Sequence, residues 1–358
     1  MALDNAFRIG GLGALVALAA TALAQRPPAN PIDWLVRGLD STPLVVTTLI
    51  QSLYGDGRHG VTQIKLQTDG RGRSRRTILQ PLSKQGVVQT DDGNVWVTFF
   101  PDARQVMAQP SPSAWQLPAE RRTVLVSRNY KVTYGETGRI AGRVTVQVVA
   151  RPNDRELPIR IFDLDQRTNV LLRSAVQSHG PESVRVQLDT LAASFPTRVD
   201  GGFYERPSEP DWRQLKCDGP ARVERPSDLG FNPVVPERLP RGFVVMHVHR
   251  MTERDAKVVG VRLTDGLASA TVYQWSSVNP PEKLPFRSSR AKVNADGVAF
   301  RIVGDLPDEV EEDLLSAFLR NRRDLKTYSG TPWFEFFVDS YINPQRLVLP
   351  NDSESLLP

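Results

Sequence analysis

Between residues 61 and 176, apolar and polar positions alternate with a period of two. In VTQIKLQT, Ile64 and Leu66 fall on one side and Lys65 on the other, the pattern of a strand with one wet face. Nine further segments separated by turn dipeptides follow: RTILQ, QGVVQT, NVWVTFF, RQVMAQ, RTVLVS, YKVTY, GRVTVQVVA, LPIRIFDLD and NVLLRSAV. They predict an antiparallel meander of roughly ten strands, long enough to curl into a half-barrel.

Two segments ahead of this meander have apolar residues at helical spacing. PIDWLVRGLD and PLVVTTLIQSLYG each begin with a proline, which favours the first turn of a helix. Their apolar stripes are Ile32, Leu35 and Leu39 in the first, and Val45, Leu49 and Leu53 in the second. We predict two amphipathic helices that cover the apolar face of the sheet.

That apolar face is the first candidate site. If the helices cover it incompletely, the curved sheet encloses a cavity suited to a hydrophobic ligand; the alternative is that the helices fill the space. The predicted cavity residues are Ile64, Leu66, Trp96, Val144, Val146, Ile159 and Ile161.

Beyond residue 178 the period is lost and then returns. PESVRVQLDTLAASF predicts one more helix or strand, and residues 201–230 collect prolines, glycines and charges, which is typical of a linker. Within that linker we expect Trp212 to lie along the first domain, since its ring is costly to hydrate.

A second module follows the linker. RGFVVMHVHR predicts a half-buried strand, Asp265-Gly266 a tight turn before the strand LASATVYQW, and Pro307 the start of the helix DEVEEDLLSAFLRNRRDL. Val310, Leu314 and Phe318 form the apolar stripe of that helix, whose first turn is acidic, as the helix dipole favours.

His247 and His249 have the spacing of metal ligands on a strand. A zinc site needs a third and usually a fourth ligand, but the other histidines, His59 and His179, lie in the first domain and the single Cys217 lies in the linker. We predict neither a metal site nor a cofactor.

Length and composition favour two soluble domains behind an export signal. The chain has 358 residues, more than one core usually supports. Its first 24 residues have Arg8, an uncharged apolar run too short to span a bilayer, and small residues at Ala22 and Ala24, which predicts a cleaved signal peptide. The alternative is an uncleaved membrane anchor.

A net charge of +5 and four arginines in DGRGRSRRT add a second candidate site. A basic run of this kind grips phosphates or an acidic polypeptide, and for an exported protein nucleic acid is excluded as a partner. The alternative is a solvated hairpin whose charges discourage aggregation. The candidate partner or anion-binding residues are Arg71, Arg73, Arg75 and Arg76.

No catalytic motif is present. The sequence lacks a G-x-S-x-G elbow, an H-E-x-x-H helix and a phosphate-binding glycine loop. Asp163 and Asp165 share a strand face, an arrangement more typical of a turn cap than of an acid/base pair. We therefore predict no catalytic residues and a binding protein.

Several segments resemble known families. The hairpin DDGNVWVTFFPDARQVMAQ, residues 91–109, resembles the strand, proline turn and strand of LolA-like half-barrels, and residues 130–177 resemble the same sheet in the MucB/RseB group. LPRGF at 239–243, DGLASATV at 265–272 and VGDLP at 303–307 resemble the C-terminal domain of MucB/RseB proteins.

The resemblance implies an α+β protein: a LolA-like antiparallel half-barrel covered by helices, and a smaller α+β domain. It implies a periplasmic regulator that grips the exported segment of a membrane-bound anti-sigma factor, shields it from proteolysis, and senses a lipid or lipoprotein. The alternative function is a LolA-like carrier of lipids or lipoproteins. The predicted divisions are 1–24 signal peptide, 30–200 half-barrel, 201–230 linker, 231–327 C-terminal domain and 328–358 tail without a counterpart.

Overall fold

The computed structural model of the protein describes residues 29–39, 43–54, 61–111, 116–178, 184–198, 211–215, 221–222, 229–253, 256–281, 292–294, 296–304 and 306–320. The predicted signal peptide, the tail from residue 328, Cys217, His59 and His179 lie outside these residues.

A large sheet, antiparallel except for one short edge strand, is formed by strands between residues 46 and 215. Its strands are β1 (Val46–Tyr54), β2 (Val61–Asp69), β3 (Ser74–Gln80), β4 (Val88–Asp91), β5 (Val95–Phe100), β6 (Gln105–Pro110), β7 (Tyr130–Ile140), β8 (Arg143–Pro152), β9 (Ile159–Asp165), β10 (Leu171–Gln177), β11 (Val184–Ser194) and β12 (Arg213–Leu215). Their order is β12-β6-β5-β4-β3-β2-β1-β11-β10-β9-β8-β7, so the sheet is open.

A small sheet follows, with the order β13-β14-β15-β16-β18-β17. Its strands are β13 (Ala221–Arg222), β14 (Val244–Glu253), β15 (Ala256–Thr264), β16 (Ser269–Ser276), β17 (Lys292–Val293) and β18 (Val298–Gly304). Three helices complete the described structure, α1 (Pro31–Gly38), α2 (Ala119–Asn129) and α3 (Asp308–Arg320), and a 3₁₀ turn lies at Leu82–Lys84. The predicted α+β class with an open antiparallel sheet and covering helices is confirmed.

α1 and α3 form where the sequence predicted them. The Asn30 side chain accepts a hydrogen bond from the Ile32 N–H and so caps α1, with Pro31 in its first turn. Val310, Leu314 and Phe318 of α3 are fully buried, which confirms the predicted stripe. None of the helices within the described ranges is long and apolar enough to cross a bilayer.

Two element predictions were wrong. The predicted second helix is strand β1, rich in β-branched residues and hydrogen-bonded on both edges, to β2 and β11. The segment RTVLVS, predicted as a strand, lies in α2, where the buried Arg122 guanidinium donates to the Leu39 carbonyl at 3.2 Å and so joins α2 to α1. In both cases long-range contacts override the local pattern.

One face of the large sheet, here called the inner face, is continuous across its strands. Val148, Phe162, Ser174, Leu188 and Leu53 pair in sequence from β8 to β1. On the other side of β1 the pairing continues through Leu49, Leu66, Arg76, Gln89 and Thr98. Paired residues of an antiparallel sheet share a face, so these side chains line one surface.

The predicted linker contributes a strand to each sheet. β12 pairs in parallel with β6 of the large sheet, and β13 pairs with β14 of the small one. Trp212 packs edge-on against Phe99 with 6.3 Å between ring centroids, which confirms that it lies along the first unit. The predicted domain boundaries themselves remain a prediction.

Candidate ligand and partner site

The middle of the inner face is apolar. A cluster of buried side chains, here the central cluster, consists of Leu49, Leu53, Ile64, Leu66, Ile78, Val87, Val170, Leu172 and Leu188. Each has no more than 8% of its surface exposed. A hydrophobic ligand bound to this sheet would lie against these residues.

The predicted cavity residues divide between the two faces. Ile64, Leu66, Trp96 and Val146 are buried on the inner face, and Val144 is half-buried beside them. Ile159 and Ile161 pair with Gln177 and Ala175 and lie on the opposite face, so the prediction that they share the face of Val146 was wrong. The inner positions of β9 are Arg160, Phe162 and Leu164.

Beyond the central cluster the inner face becomes polar. Arg76 is 3% exposed, and its guanidinium carbon lies 4.9 Å from the centre of the Trp96 ring. Burial raises the pKa of Asp91, although the Arg76 charge and hydrogen bonds from Ser111 and Gly93 oppose the shift. The surface therefore changes from apolar to polar along its length.

The four arginines predicted as one basic patch are not brought together. Arg73 pairs with Asp69 at 2.6 Å and is exposed, and the Arg71 N–H also donates to Asp69. Arg75 lies on the opposite face from the buried Arg76, because neighbours along a strand point to opposite sides. A single anion grip by all four does not follow from this geometry.

Helices α1 and α2 cover the other end of the inner face. Here a second cluster, the covered cluster, contains Trp34, Leu35, Leu39, Val126, Tyr130, Val148, Ala150, Phe162, Leu164 and Leu267. Leu267 belongs to the turn between β15 and β16, so the small sheet closes the cluster. Helices α1 and α2, the large sheet and the β15–β16 turn of the small sheet thus contribute to one core.

That contact, here called the joint, contains buried charges. Asp265 is fully buried and accepts a hydrogen bond from the Tyr130 hydroxyl at 2.6 Å and from the Leu267 and Ala268 N–H groups. Arg160, 3% exposed, hydrogen-bonds to Tyr130 and lies close enough to Asp265 to stabilise its charge. Burial outweighs these partners and raises the pKa of Asp265.

Polar contacts extend the joint on one side. Asn129 donates to the Gly242 carbonyl at 3.0 Å and to the Asp265 carbonyl at 2.7 Å. Arg241 bridges Asp154 of the large unit, at 2.9 Å, and Asp313 of α3, at 2.7 Å. Segments 239–243 and 265–267, which carried the resemblance to a family domain, therefore hold the two sheets together.

Most of the large sheet is similar to a known protein family. Residues 68–191 match the MucB/RseB N-terminal domain. The resemblance found in the sequence is confirmed. The match covers the chain from the end of β2 to β11, including α2 and the Tyr130 and Arg160 side of the joint. None of the curated proteins matches the sequence significantly.

Solved MucB structures match both sheets. A crystal structure of MucB has a TM-score of 0.53 and 16% identity, covering 81% of this chain and 98% of that chain. MucB in complex with MucA(peri) has a TM-score of 0.56 at 16% identity, covering 81% and 98%. The MucA/MucB complex of Pseudomonas aeruginosa has 0.57 at 16%, covering 80% and 97%. At this identity the likeness establishes the shared fold.

The histidine pair lies outside the matched residues 68–191, on the small sheet. His247 Nε2 and His249 Nδ1 are 3.0 Å apart, with the rings stacked and buried. Burial and the nearby Arg262 charge lower the pKa of His249 to about 4. Among the described residues no three metal-ligand side chains come together. A cation beside Arg262 would be repelled.

Within the matched residues 68–191, Asp165 caps a turn, as predicted. Its carboxylate accepts the N–H groups of Arg167 and Thr168 and pairs with Arg143 at 2.7 Å. These hydrogen bonds lower its pKa although burial opposes them. Burial raises the pKa of Asp163, which takes one long hydrogen bond from Gln147 at 3.4 Å.

Sequence reasoning missed Tyr130 and Arg160. Arg160 alternates with Ile159 and Ile161 along the strand. Because arginine is charged, the alternation predicted that Arg160 lies on the solvent face. Asp265 was read only as part of a turn. The signal that would have found them is a lone arginine inside an apolar strand, which requires a buried partner.

Proposed function

We propose that this protein is an exported regulatory binding protein that grips the periplasmic segment of a membrane-bound anti-sigma factor. The observation that supports this most is the likeness to MucB across both sheets, including MucB bound to MucA(peri). The joint adds a physical reason. A carrier needs only the large sheet, whereas this chain uses buried charges to dock a second one.

We also propose that the inner face senses a lipid or a lipoprotein acyl chain. The central cluster supplies the apolar surface, and the polar region around Arg76 gives a ligand a direction along the sheet. A carrier of lipids or lipoproteins is the second candidate function, and this same surface favours it.

Purification of the tagged protein from the envelope of its own host separates the two. We expect a single-span membrane protein at near-equal abundance in mass spectrometry. The exported segment of that protein should then bind the purified chain with a 1:1 stoichiometry in calorimetry, and a scrambled segment should not. Recovery of mixed lipoproteins or acyl lipids alone would contradict the regulatory function and support the carrier.

The lipid function has its own test, binding of a fluorescent fatty acid. Ile64→Asp and Val146→Asp place a charge on the inner face and should abolish binding. Ile161→Asp changes the opposite face and serves as the control, with circular dichroism to check folding of all three. Binding that survives both inner-face changes would disprove the assignment.

A further inference from the structure

A cleft of about 170 Å³ lies between the end of α1 and the turn that joins β9 to β10. Arg37 and Leu44 line it on the α1 side, and Arg167 and Val170 on the side of the turn. Trp34 forms part of its wall. None of the predicted cavity residues and none of the described residues of the joint lines this cleft.

The charge of the cleft is positive. Arg37 and Arg167 are both exposed, and among the described residues no aspartate or glutamate lines the cleft. The Arg37 guanidinium donates to the Asp33 carbonyl at 3.3 Å, and within the described part of the chain neither arginine forms an ion pair. Two arginine side chains line this small cleft, and arginine supplies the donors that phosphate prefers in proteins.

The nearest acidic side chain of the turn does not neutralise them. The Asp165 carboxylate is 1% exposed, pairs with Arg143, and accepts the backbone N–H groups of Arg167 and Thr168. Those hydrogen bonds fix the turn that presents the Arg167 side chain. Among the described residues of the cleft wall, no carboxylate offsets the charge of the two arginines.

The walls also contain polar atoms without a partner. Trp34 is only 5% exposed, and its indole Nε1 has no hydrogen bond in the described structure. Asn169 donates to the Trp34 carbonyl at 2.9 Å, but its Oδ1 is buried with no donor. Buried polar atoms are normally satisfied, so the Trp34 indole N–H is a donor that an anion at this wall can use, whereas the Asn169 Oδ1 is an acceptor and adds nothing to anion binding.

Apolar surface leads away from the cleft on both sides. Trp34 belongs to the covered cluster and Val170 to the central cluster, so the cleft lies where these two cores meet. Leu44, at the rim, is 73% exposed. An anion bound here would have apolar surface directly beside it.

We infer that this cleft binds the phosphate of an anionic lipid, with Arg37 and Arg167 holding the phosphate and the acyl chain lying along Leu44 and Val170. The inference extends the lipid-sensing part of the proposed function and gives that lipid a charge. The adjoining apolar surface favours a lipid over an acidic peptide, which would need further donors in place of Leu44 and Val170.

Calorimetry of the full chain tests this with dihexanoyl phosphatidic acid, a monomeric short-chain lipid, and with inorganic phosphate. We expect the lipid to bind at least tenfold more tightly than phosphate. Arg37→Gln and Arg167→Gln should each weaken lipid binding on the order of tenfold, as loss of a charge-assisted contact predicts. Arg155→Gln, at an exposed arginine in another turn, is the matched control and should change nothing.

Leu44→Ser tests the acyl contact, because an exposed side chain can be changed without affecting folding. It should weaken the lipid and leave phosphate unchanged. The inference would be overturned by equal affinities for lipid and phosphate, by an equal loss in Arg155→Gln, or by no lipid binding. Displacement of the lipid by a polyglutamate peptide that binds more tightly would also overturn it. The tagged Arg37→Gln variant is also purified from the host envelope. If it still captures the single-span membrane protein, the proposed regulatory function stands independently of the lipid result.

Discussion

Gly142 and Gly242 have the same backbone conformation in opposite surroundings. Both have a φ of +75°, which L side chains rarely adopt. A Cβ on Gly142 would meet nothing within 4 Å, whereas one on Gly242 would lie 2.2 Å from the Asn129 Oδ1 across the joint. The pair therefore separates backbone strain from close packing between the two sheets.

Gly242→Ala should destabilise the protein more than Gly142→Ala. Each change carries the strain of a left-handed alanine, about 1 kcal/mol, and only the first forces Asn129 away from the Gly242 and Asp265 carbonyls. We expect a further loss of about 2 kcal/mol in Gly242→Ala, measured as the free energy of unfolding in urea. Equal losses in the two variants would show that Asn129 moves aside at no cost.

At the scale of elements, β14 shows how a strand accommodates two buried histidines. Its register against β15 shifts between Val245 and His247. His249 then lies opposite Gly260, where a Cβ would meet the imidazole at 2.4 Å, so the glycine makes room for the ring. Both histidines are held neutral in the folded protein, because burial and Arg262 oppose their protonation.

Stability should therefore fall as the pH falls from 6.5 towards 4. In this window the unfolded chain binds a proton on His249, with a pKa near 6.5, while the folded protein, with a pKa of about 4, does not. The expected slope is about 1.4 kcal/mol per pH unit from this histidine. His249→Gln removes this titrating group. The free energy of unfolding in urea, measured from pH 4 to 7, should then depend less steeply on pH by that amount.

The comparison is between slopes, because a buried glutamine also changes stability at every pH. Carboxylates contribute the same acid sensitivity to both proteins, so their contribution cancels in the difference. A His249→Gln slope equal to that of the unmodified protein would mean that the ring is already charged in the folded state. Burial, His249 and Arg262 also lower the pKa of His247, so His247→Gln should reduce the slope in the same way.

At the scale of the whole molecule, the covered cluster makes the two sheets interdependent. Val126 of α2, Phe162 of the large sheet and Leu267 of the small sheet share one core. The buried Asp265 adds electrostatic contacts to Arg160 and Tyr130, and leaving either partner alone in this core is costly. A ligand that lifts α1 or α2 from the inner face must therefore loosen the small sheet as well.

Leu267→Ala should uncouple the sheets. Removing a fully buried leucine typically costs about 3 kcal/mol, and here the loss falls on the contact between the units. We expect one thermal transition for the unmodified chain and two for Leu267→Ala in differential scanning calorimetry. Leu82→Ala, the same change at a leucine that is 80% exposed, should preserve the single transition. A single, unchanged transition in Leu267→Ala would show that the coupling of the two units does not depend on Leu267.

The sequence alone determined most of the strands and both terminal helices, because alternation and turn residues act over a few neighbours. VTQIKLQT, GRVTVQVVA and the stripe of α3 lie where those patterns predicted them. Only the tertiary structure decided that PLVVTTLIQSLYG is a strand, that RTVLVS is helical and that Arg160, not Ile159 or Ile161, faces inward. In each case the deciding partner lies far along the chain: β11 for β1, Leu39 for α2, and Asp265 for Arg160. A local pattern shows whether a residue is apolar or polar. Only the folded chain determines which distant residue pairs with a buried charge.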